Sequence, residues 1–268
     1  MFHTIKQGTL EYLTADALEG SVHCFSTRLG GVSEGVLSAL NLGTHRGDKP
    51  ENVRENYRIL GKAVGFAPEE TVFTRQEHTD LLLRVGRADC GTGLDREQTT
   101  VCDGILTDEP GVALVCFAAD CTPVLLFDPV RQAIAAVHAG WRGTAQGIAY
   151  KAVLRMQEEF GCAPEDIRAA IGPCIGRCCF EVGPEVPDAM REALSADAEA
   201  AIEPRGEKAH VDLKLLNRIW LQKAGVQGID VSPDCTMCHP DRFWSHRVTG
   251  GARGSQAAII RLKGGAAQ

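Results

Sequence analysis

The segment PVLLFDPVRQAIAAVHA, residues 123–139, constrains the fold more than any other part of the chain. Two short apolar runs flank the turn-forming tetrapeptide Pro129-Val130-Arg131-Gln132, the pattern of an antiparallel hairpin. With Asp128 and Ala133 flanking a four-residue turn, the numbers of facing residues sum to 261. Pro123 then lies opposite His138, and Leu125 opposite Ala136. Side chains alternate along a strand, so Cys121, Pro123, Leu125 and His138 share one face, while Val124 and Leu126 point to the other. Cys121 and His138 become diagonal neighbours about 7–8 Å apart at the open end of the hairpin. A zinc ion with bonds of about 2.0–2.3 Å can straddle such a pair. Proline has no N–H to donate, so Pro123 is expected at a non-donating or edge position, where a metal would replace ladder bonds as the clamp.

Elsewhere, residues 8–13 and 21–26 read as strands. The glycine-rich polar stretch TRLGGVSEGVLSALNLGTHRGD reads as a long structured loop, more a wall of a site than part of the core. Residues 50–64 are predicted helical, with Val53, Tyr57, Leu60 and Val64 on one face. Strands are predicted over 71–73, 81–85 and 112–118. A helix is predicted from Thr144 to Phe160, striped by Ile148, Ala149, Ala152, Met156 and Phe160 and stopped at Gly161. A strand over 167–171, helices over 184–194 and 213–224, and strands over 228–231 and 257–262 complete the reading. This is an α+β pattern, a mixed α/β layered fold, with one domain spanning 1–268.

The formal charge of −7 argues against general affinity for nucleic acid or an acidic membrane. No apolar run reaches the roughly 18 residues of a membrane span; residues 112–126 are interrupted by Asp120 and Pro123. The start of the chain lacks the basic and apolar pattern of a signal peptide, so a cytoplasmic location is expected. Eleven cysteines, an odd number, several in apolar runs as Cys24 and Cys116 are, point to reduced core thiols rather than a disulfide framework.

Further candidates are local. His78, in Arg75-Gln76-Glu77-His78, sits in a polar patch between two strand-like runs, where it can point into a cleft. Cys235-Thr-Met-Cys238 is a CxxC; Cys174, Cys178 and Cys179 could complete a second zinc site, but nothing in the spacing brings them together, and structural thiols are the favoured reading. Arg142-Gly143-Thr144 opens the predicted helix beside His138, where helix N–H groups and the arginine suit phosphate. Asp103 and Glu181 are candidate general bases.

ADCTPVLLFDP followed by HAGWRGT closely resembles the YfiH family, also described as multicopper polyphenol oxidase or laccase-domain proteins. FSTRLGGVS, LNLGTHRGD, QEH, IGPCIGRCCFEVG and DCTMCHPDRFWSHR extend the match from Phe25 to Arg247. The chain departs from the family pattern at Thr79, where glycine is frequent, and in the tail TGGARGSQAAII. The resemblance implies a YfiH-like layered fold and a zinc site on His78, Cys121 and His138. Three protein ligands leave a fourth position open, which marks a catalytic rather than a structural zinc. It further implies phosphorolysis of adenosine, inosine, guanosine and methylthioadenosine, and deamination of adenosine. Purine nucleosides and phosphate would be the partners, without nucleic acid or membrane. Arg28, Asn41, His45 and Arg247 lie in the matched motifs and are expected to line the same cleft. The alternatives are a metal-free Cys121–His138 nucleophile pair, an amidohydrolase editing peptidoglycan precursors, a copper-dependent polyphenol oxidase, and a binding protein without turnover. A single Cys/His site lacks the several histidine pairs of a multicopper oxidase, and thiolate with imidazole suits zinc.

Overall fold

A computed structural model describes residues 1–264. Among them the elements run β1 (Phe2–Gln7), β2 (Leu10–Ala15), β3 (Ser21–Ser26), α1 (Pro50–Val64), β4 (Thr71–Phe73), β5 (Leu82–Arg84), β6 (Gly104–Thr107) and β7 (Ala113–Ala118). There follow β8 (Thr122–Asp128), β9 (Ala133–Ala139), α2 (Trp141–Ala145), α3 (Ile148–Phe160), β10 (Arg168–Ile171), β11 (Glu181–Val182) and α4 (Glu185–Leu194). Last come β12 (Ile202–Arg205), β13 (Lys208–Val211), α5 (Leu213–Lys223), β14 (Gly228–Val231), α6 (His246–Thr249) and β15 (Gln256–Leu262).

Two six-stranded sheets form the body, in the orders β1-β2-β3-β15-β7-β4 and β14-β10-β8-β9-β6-β5; β11, β13 and β12 form a small third sheet. Alternation along the strands explains how the layers stack. Leu13, Phe25, Leu114 and Ile260 of the first sheet meet Leu125, Phe127, Ile134 and Ala136 of the second in one buried cluster. The second sheet turns Val124, Leu126, Ala135 and Val137 outward onto Ile148, Ala152 and Met156 of α3 and Leu221 of α5. The first sheet turns Tyr12, Val115 and Ile259 onto Val53, Tyr57 and Leu60 of α1. The molecule is thus a four-layer α/β/β/α sandwich, held by apolar area removed from water on three parallel planes.

The hairpin has the predicted register: Pro123 pairs with His138, Leu125 with Ala136 and Asp128 with Ala133. The two faces also divide as predicted, Leu125 inward and Val124 and Leu126 toward α3. The edge position does not hold, because β8 lies between β9 and β10. Pro123 is tolerated for a different reason. Its carbonyl accepts from Gly172 N–H at 2.9 Å, just beyond the last β8–β10 pair, so its missing N–H faces the place where β10 has ended.

Three other expectations need correction. Residues 8–13 are not one strand; Gly8, at φ 62°, turns β1 into β2. The helix predicted from Thr144 is broken, because Gly147 is left-handed at φ 71° between α2 and α3. The Thr144 carbonyl accepts from Gly147 N–H at 3.1 Å and from the Trp220 indole at 2.7 Å, which ties the break to α5. The 27–48 stretch is partly core: Leu40 and Leu42 are fully buried under α1, and only residues 43–46 face the site described next. Among the described residues no helix is long and apolar enough to cross a membrane.

Candidate metal centre

Twice the chain passes from one sheet to the other near the same end, and each passage carries a candidate ligand. The β4–β5 connection holds His78, and the β7–β8 connection holds Cys121; His138 lies on β9. One ligand atom from each lies within 4.8 Å of the others. Cys121 Sγ and His78 Nε2 are 3.7 Å apart. A tetrahedral ion with bonds of about 2.0–2.3 Å sets its ligand atoms about 3.3–3.8 Å apart, so the donor set fits zinc.

Asp103, fully buried, organises two of the three. Its carboxylate accepts from the N–H groups of Glu77 (3.1 Å), His78 (3.1 Å) and Thr79 (2.8 Å) and from the Thr79 hydroxyl (2.8 Å). These bonds hold the turn in which His78 sits at φ 61°. Asp103 Oδ1 also lies 2.7 Å from His138 Nδ1, and its carbonyl accepts from His138 N–H at 2.7 Å. With Nδ1–H given to the carboxylate, Nε2 is left to face Cys121 as a lone-pair donor, the arrangement found behind many zinc-bound histidines. Thr79, where the family pattern favours glycine, is therefore a working part of the anchor.

Cys121 follows Asp120, a left-handed residue at φ 86°. The Asp120 carboxylate accepts from the Thr236 hydroxyl (2.6 Å) and Arg247 N–H (2.7 Å), and its carbonyl accepts from Ile175 N–H (3.0 Å). Three distant segments thus fix the residue before the thiol. On the other side Gly140 leaves a cradle: a Cβ there would stand 2.7 Å from His78 Cδ2 and 3.3 Å from Cys121 Sγ.

The electrostatics favour a thiolate. Burial pushes the Cys121 thiol up, but the His138 charge and hydrogen bonds to His138 and His78 bring it down to about 6. Burial lowers His138, and the Cys121 charge with Asp103 outweighs it and raises the imidazole. Burial raises Asp103, and the His138 and Thr79 bonds hold it down at about 2. A metal cation would replace the imidazolium as the thiolate's counter-charge.

The three side chains line a cavity of about 490 Å³ together with His45, Arg46, Phe73, Phe117 and Arg253. Of the other predicted site residues, His45 reaches this lining, and the rest do not. Arg142 is exposed and stacks on Trp141 at 4.2 Å in the first turn of a five-residue helix, outside the cavity lining. Arg28 donates to the carbonyls of Pro240 and Ser38 and stacks on Trp244. Asn41 is fully buried and bonds Gly43 and Asp48, shaping the loop rather than the cavity. Arg247 donates through Nη1 to the Glu181 carbonyl. Glu181 pairs at the surface with Lys208 at 2.6 Å. Asp103 is a positioning residue, since both oxygens are occupied and neither lines the cavity.

Sequence reasoning missed the cationic side of the cavity. Arg46 stands beside His45 within a quoted motif, and Arg253 lies in the tail. Arg253 is 9% exposed, its Nε has no partner among the described residues, and burial with the neighbouring Arg46 charge lowers it to about 10. A second cluster with the Cys235–Cys238 pair is expected only as the lesser reading, since no spacing joins its members, yet the sulfur atoms of Cys178, Cys179, Cys235 and Cys238 lie within 4.8 Å of one another, without Cys174. All eleven cysteines are free, and Cys24 and Cys116 are core thiols as expected.

A layered sandwich that brings one thiol and two imidazoles together on one cavity defines the class. The family model described as "Multi-copper polyphenol oxidoreductase laccase" matches residues 22–263, and the chain belongs to that family. Within it, "Purine nucleoside phosphorylase YlmD" of Geobacillus stearothermophilus is 38% identical over 251 residues, 92% of each chain. "Purine nucleoside phosphorylase" of Bacteroides thetaiotaomicron is 36% identical over 246 residues, 90% of this chain and 91% of its own. The crystal structure of the Geobacillus YlmD superposes with a TM-score of 0.91 at 36% identity, covering 97% of this chain and 99% of that one.

Proposed function

We propose that this chain is a zinc-dependent purine nucleoside phosphorylase, acting on adenosine, inosine, guanosine and methylthioadenosine, that also deaminates adenosine. Its zinc would be held by His78, Cys121 and His138. The observation that carries the reading is the placing of these three donors on the same cavity as Arg46 and Arg253. About 490 Å³ suits a nucleoside with a bound anion. Zinc bound there supplies Lewis acidity and lowers the pKa of a bound water.

The chain's own residues do the rest. Asp103 holds His138 in one tautomer and fixes the turn of His78. Arg46 and Arg253 attract phosphate and hold it for attack at the ribose C1′ while the purine leaves. Arg253 has the stronger case, because its buried guanidinium lacks a carboxylate partner among the described residues. Phe117 offers a purine an apolar surface. His45, Glu77 and Glu97 add an imidazole and two carboxyl groups to the lining beside the three donors. Copper-dependent phenol oxidation is disfavoured by the donor count: among the described residues the second ligand cluster contains four thiols and no histidine. The partners are then small molecules, purine nucleosides and phosphate.

The test is turnover of each nucleoside with and without phosphate, on protein of measured zinc content. Free base should appear only with phosphate, and adenosine should yield inosine without it. Arg253→Met should raise the KM for phosphate about tenfold or more, and Arg142→Ala should leave it unchanged. Zinc-loaded protein inert toward all four nucleosides would sink the reading.

A further inference from the structure

A second group of sulfur ligands lies outside the cavity. β10 and β14 pair in parallel, Ile171 beside Val231, so the segments that follow them leave the sheet at the same end. The pairing carries on as a bridge between Cys174 and Cys235, with Thr236 N–H donating to the Cys174 carbonyl at 3.0 Å. The turn after Gly176, closed by bonds from Cys179 and Phe180 N–H to the Gly176 carbonyl at 2.9 Å each, curls Cys178 and Cys179 back toward Cys235 and Cys238. Cys178 Sγ lies 3.6 Å, and Cys179 Sγ 3.4 Å, from Cys238 Sγ.

From this geometry we propose that Cys178, Cys179, Cys235 and Cys238 bind a zinc ion in a tetrathiolate structural site, separate from His78, Cys121 and His138. A tetrahedral ion with Zn–S bonds of about 2.3 Å sets its sulfur atoms about 3.8 Å apart, close to the spacings seen. A disulfide needs about 2.05 Å and joins two sulfurs, leaving the other two without a role. Cys235 and Cys238 have the CxxC spacing common in zinc sites. Gly176 N–H points at Cys235 Sγ from 3.1 Å, the kind of backbone donor that steadies a metal-bound thiolate. Four soft thiolates without imidazole or carboxylate select zinc over magnesium or calcium.

The ion would staple two segments that share a task. Ile175 and Thr236, one from each, both bond Asp120, the residue before Cys121. The second zinc therefore steadies the backbone that presents Cys121, without touching substrate.

The test reads metal and sulfur in the whole protein. Protein purified without added metal should hold about two zinc ions per chain and show an average of about two and a half sulfur neighbours per zinc in X-ray absorption. Cys121→Ser should lose one ion and raise that average toward four, even if the nucleoside reading fails. Cys178→Ser with Cys238→Ser should lose the other ion and lower the average toward one. Denatured with chelator and without reductant, the wild-type chain should titrate all eleven thiols. Loss of two thiols to a disulfide, iron instead of zinc, or one sulfur per zinc in the wild-type protein would each overturn the proposal; these wild-type readouts stand even if the double variant does not fold.

Discussion

Gly140 leaves a space beside the three candidate ligands that the smallest side chain would fill. Its backbone, at φ −65° and ψ 172°, suits alanine, so Gly140→Ala adds no strain of its own. The new methyl would push on the His78 ring and Cys121 Sγ. We expect turnover to fall on the order of a hundredfold, as a displacement near 1 Å can cause, with the melting temperature little changed. Wild-type zinc retention against chelator, with wild-type turnover, would place the ion elsewhere. At this scale the sequence was informative where ligands sit beside a local turn. Cys121 and His138 could be joined by counting back from residues 129–132, because the Asp128 carboxylate closes that turn onto Val130 and Arg131 N–H. His78 depended on family resemblance, since its place is set by Asp103, 25 residues away. Arg253 lay in the segment that departs most from the pattern, and nothing local marks it as buried.

Elements are tied to one another by a few polar links away from open solvent, and a half-buried one should make stability depend on pH. In the β2–β3 connection Ala15 N–H donates to His23 Nε2 at 2.9 Å, His23 Nδ1 lies 3.1 Å from Ser21 Oγ, and that hydroxyl donates to the Leu18 carbonyl at 2.8 Å. An accepting Nε2 requires neutral imidazole. Burial, with the Lys263 charge, lowers His23 from 6.5 to about 4. The folded value lies below the unfolded one, so this stabilisation is complete above about pH 6.5 and is lost as pH falls toward 4, at most about 3 kcal/mol. Urea midpoints of the wild type and His23→Gln, measured from pH 8 to 4.5, should diverge in that window; parallel curves would refute the link. The elements most legible from sequence were those closed by near neighbours, the β8–β9 hairpin and α1. Parallel pairing of β10 with β14 joins residues sixty positions apart, and no spacing rule reveals it. The break at Gly147 was hidden because the apolar stripe runs on through Ile148 and Ala152, while the group that stabilises it, the Trp220 indole, comes from α5.

Across the whole molecule the four layers supply the stability and the meeting of the two sheets supplies the site. Because His78 and Cys121 stand on the two crossings that lead from the first sheet to the second, metal binding should resist any motion that slides one sheet over the other. At a thousandfold excess over Kd a ligand adds about 4 kcal/mol to the bound state. Hydrogen exchange should therefore slow on zinc loading in β4, β7, β8 and β9 together, and remain as before in β12 and β13 of the small sheet. Protection confined to residues 77–79 and 120–122 would show that the ion grips loops alone. A carpenter would recognise the arrangement as a bolt through two boards, with holes that line up only when the boards are seated. A chain that has folded one sheet offers at most part of the donor set, so an ion bound there would meet all three donors only once the halves come into register.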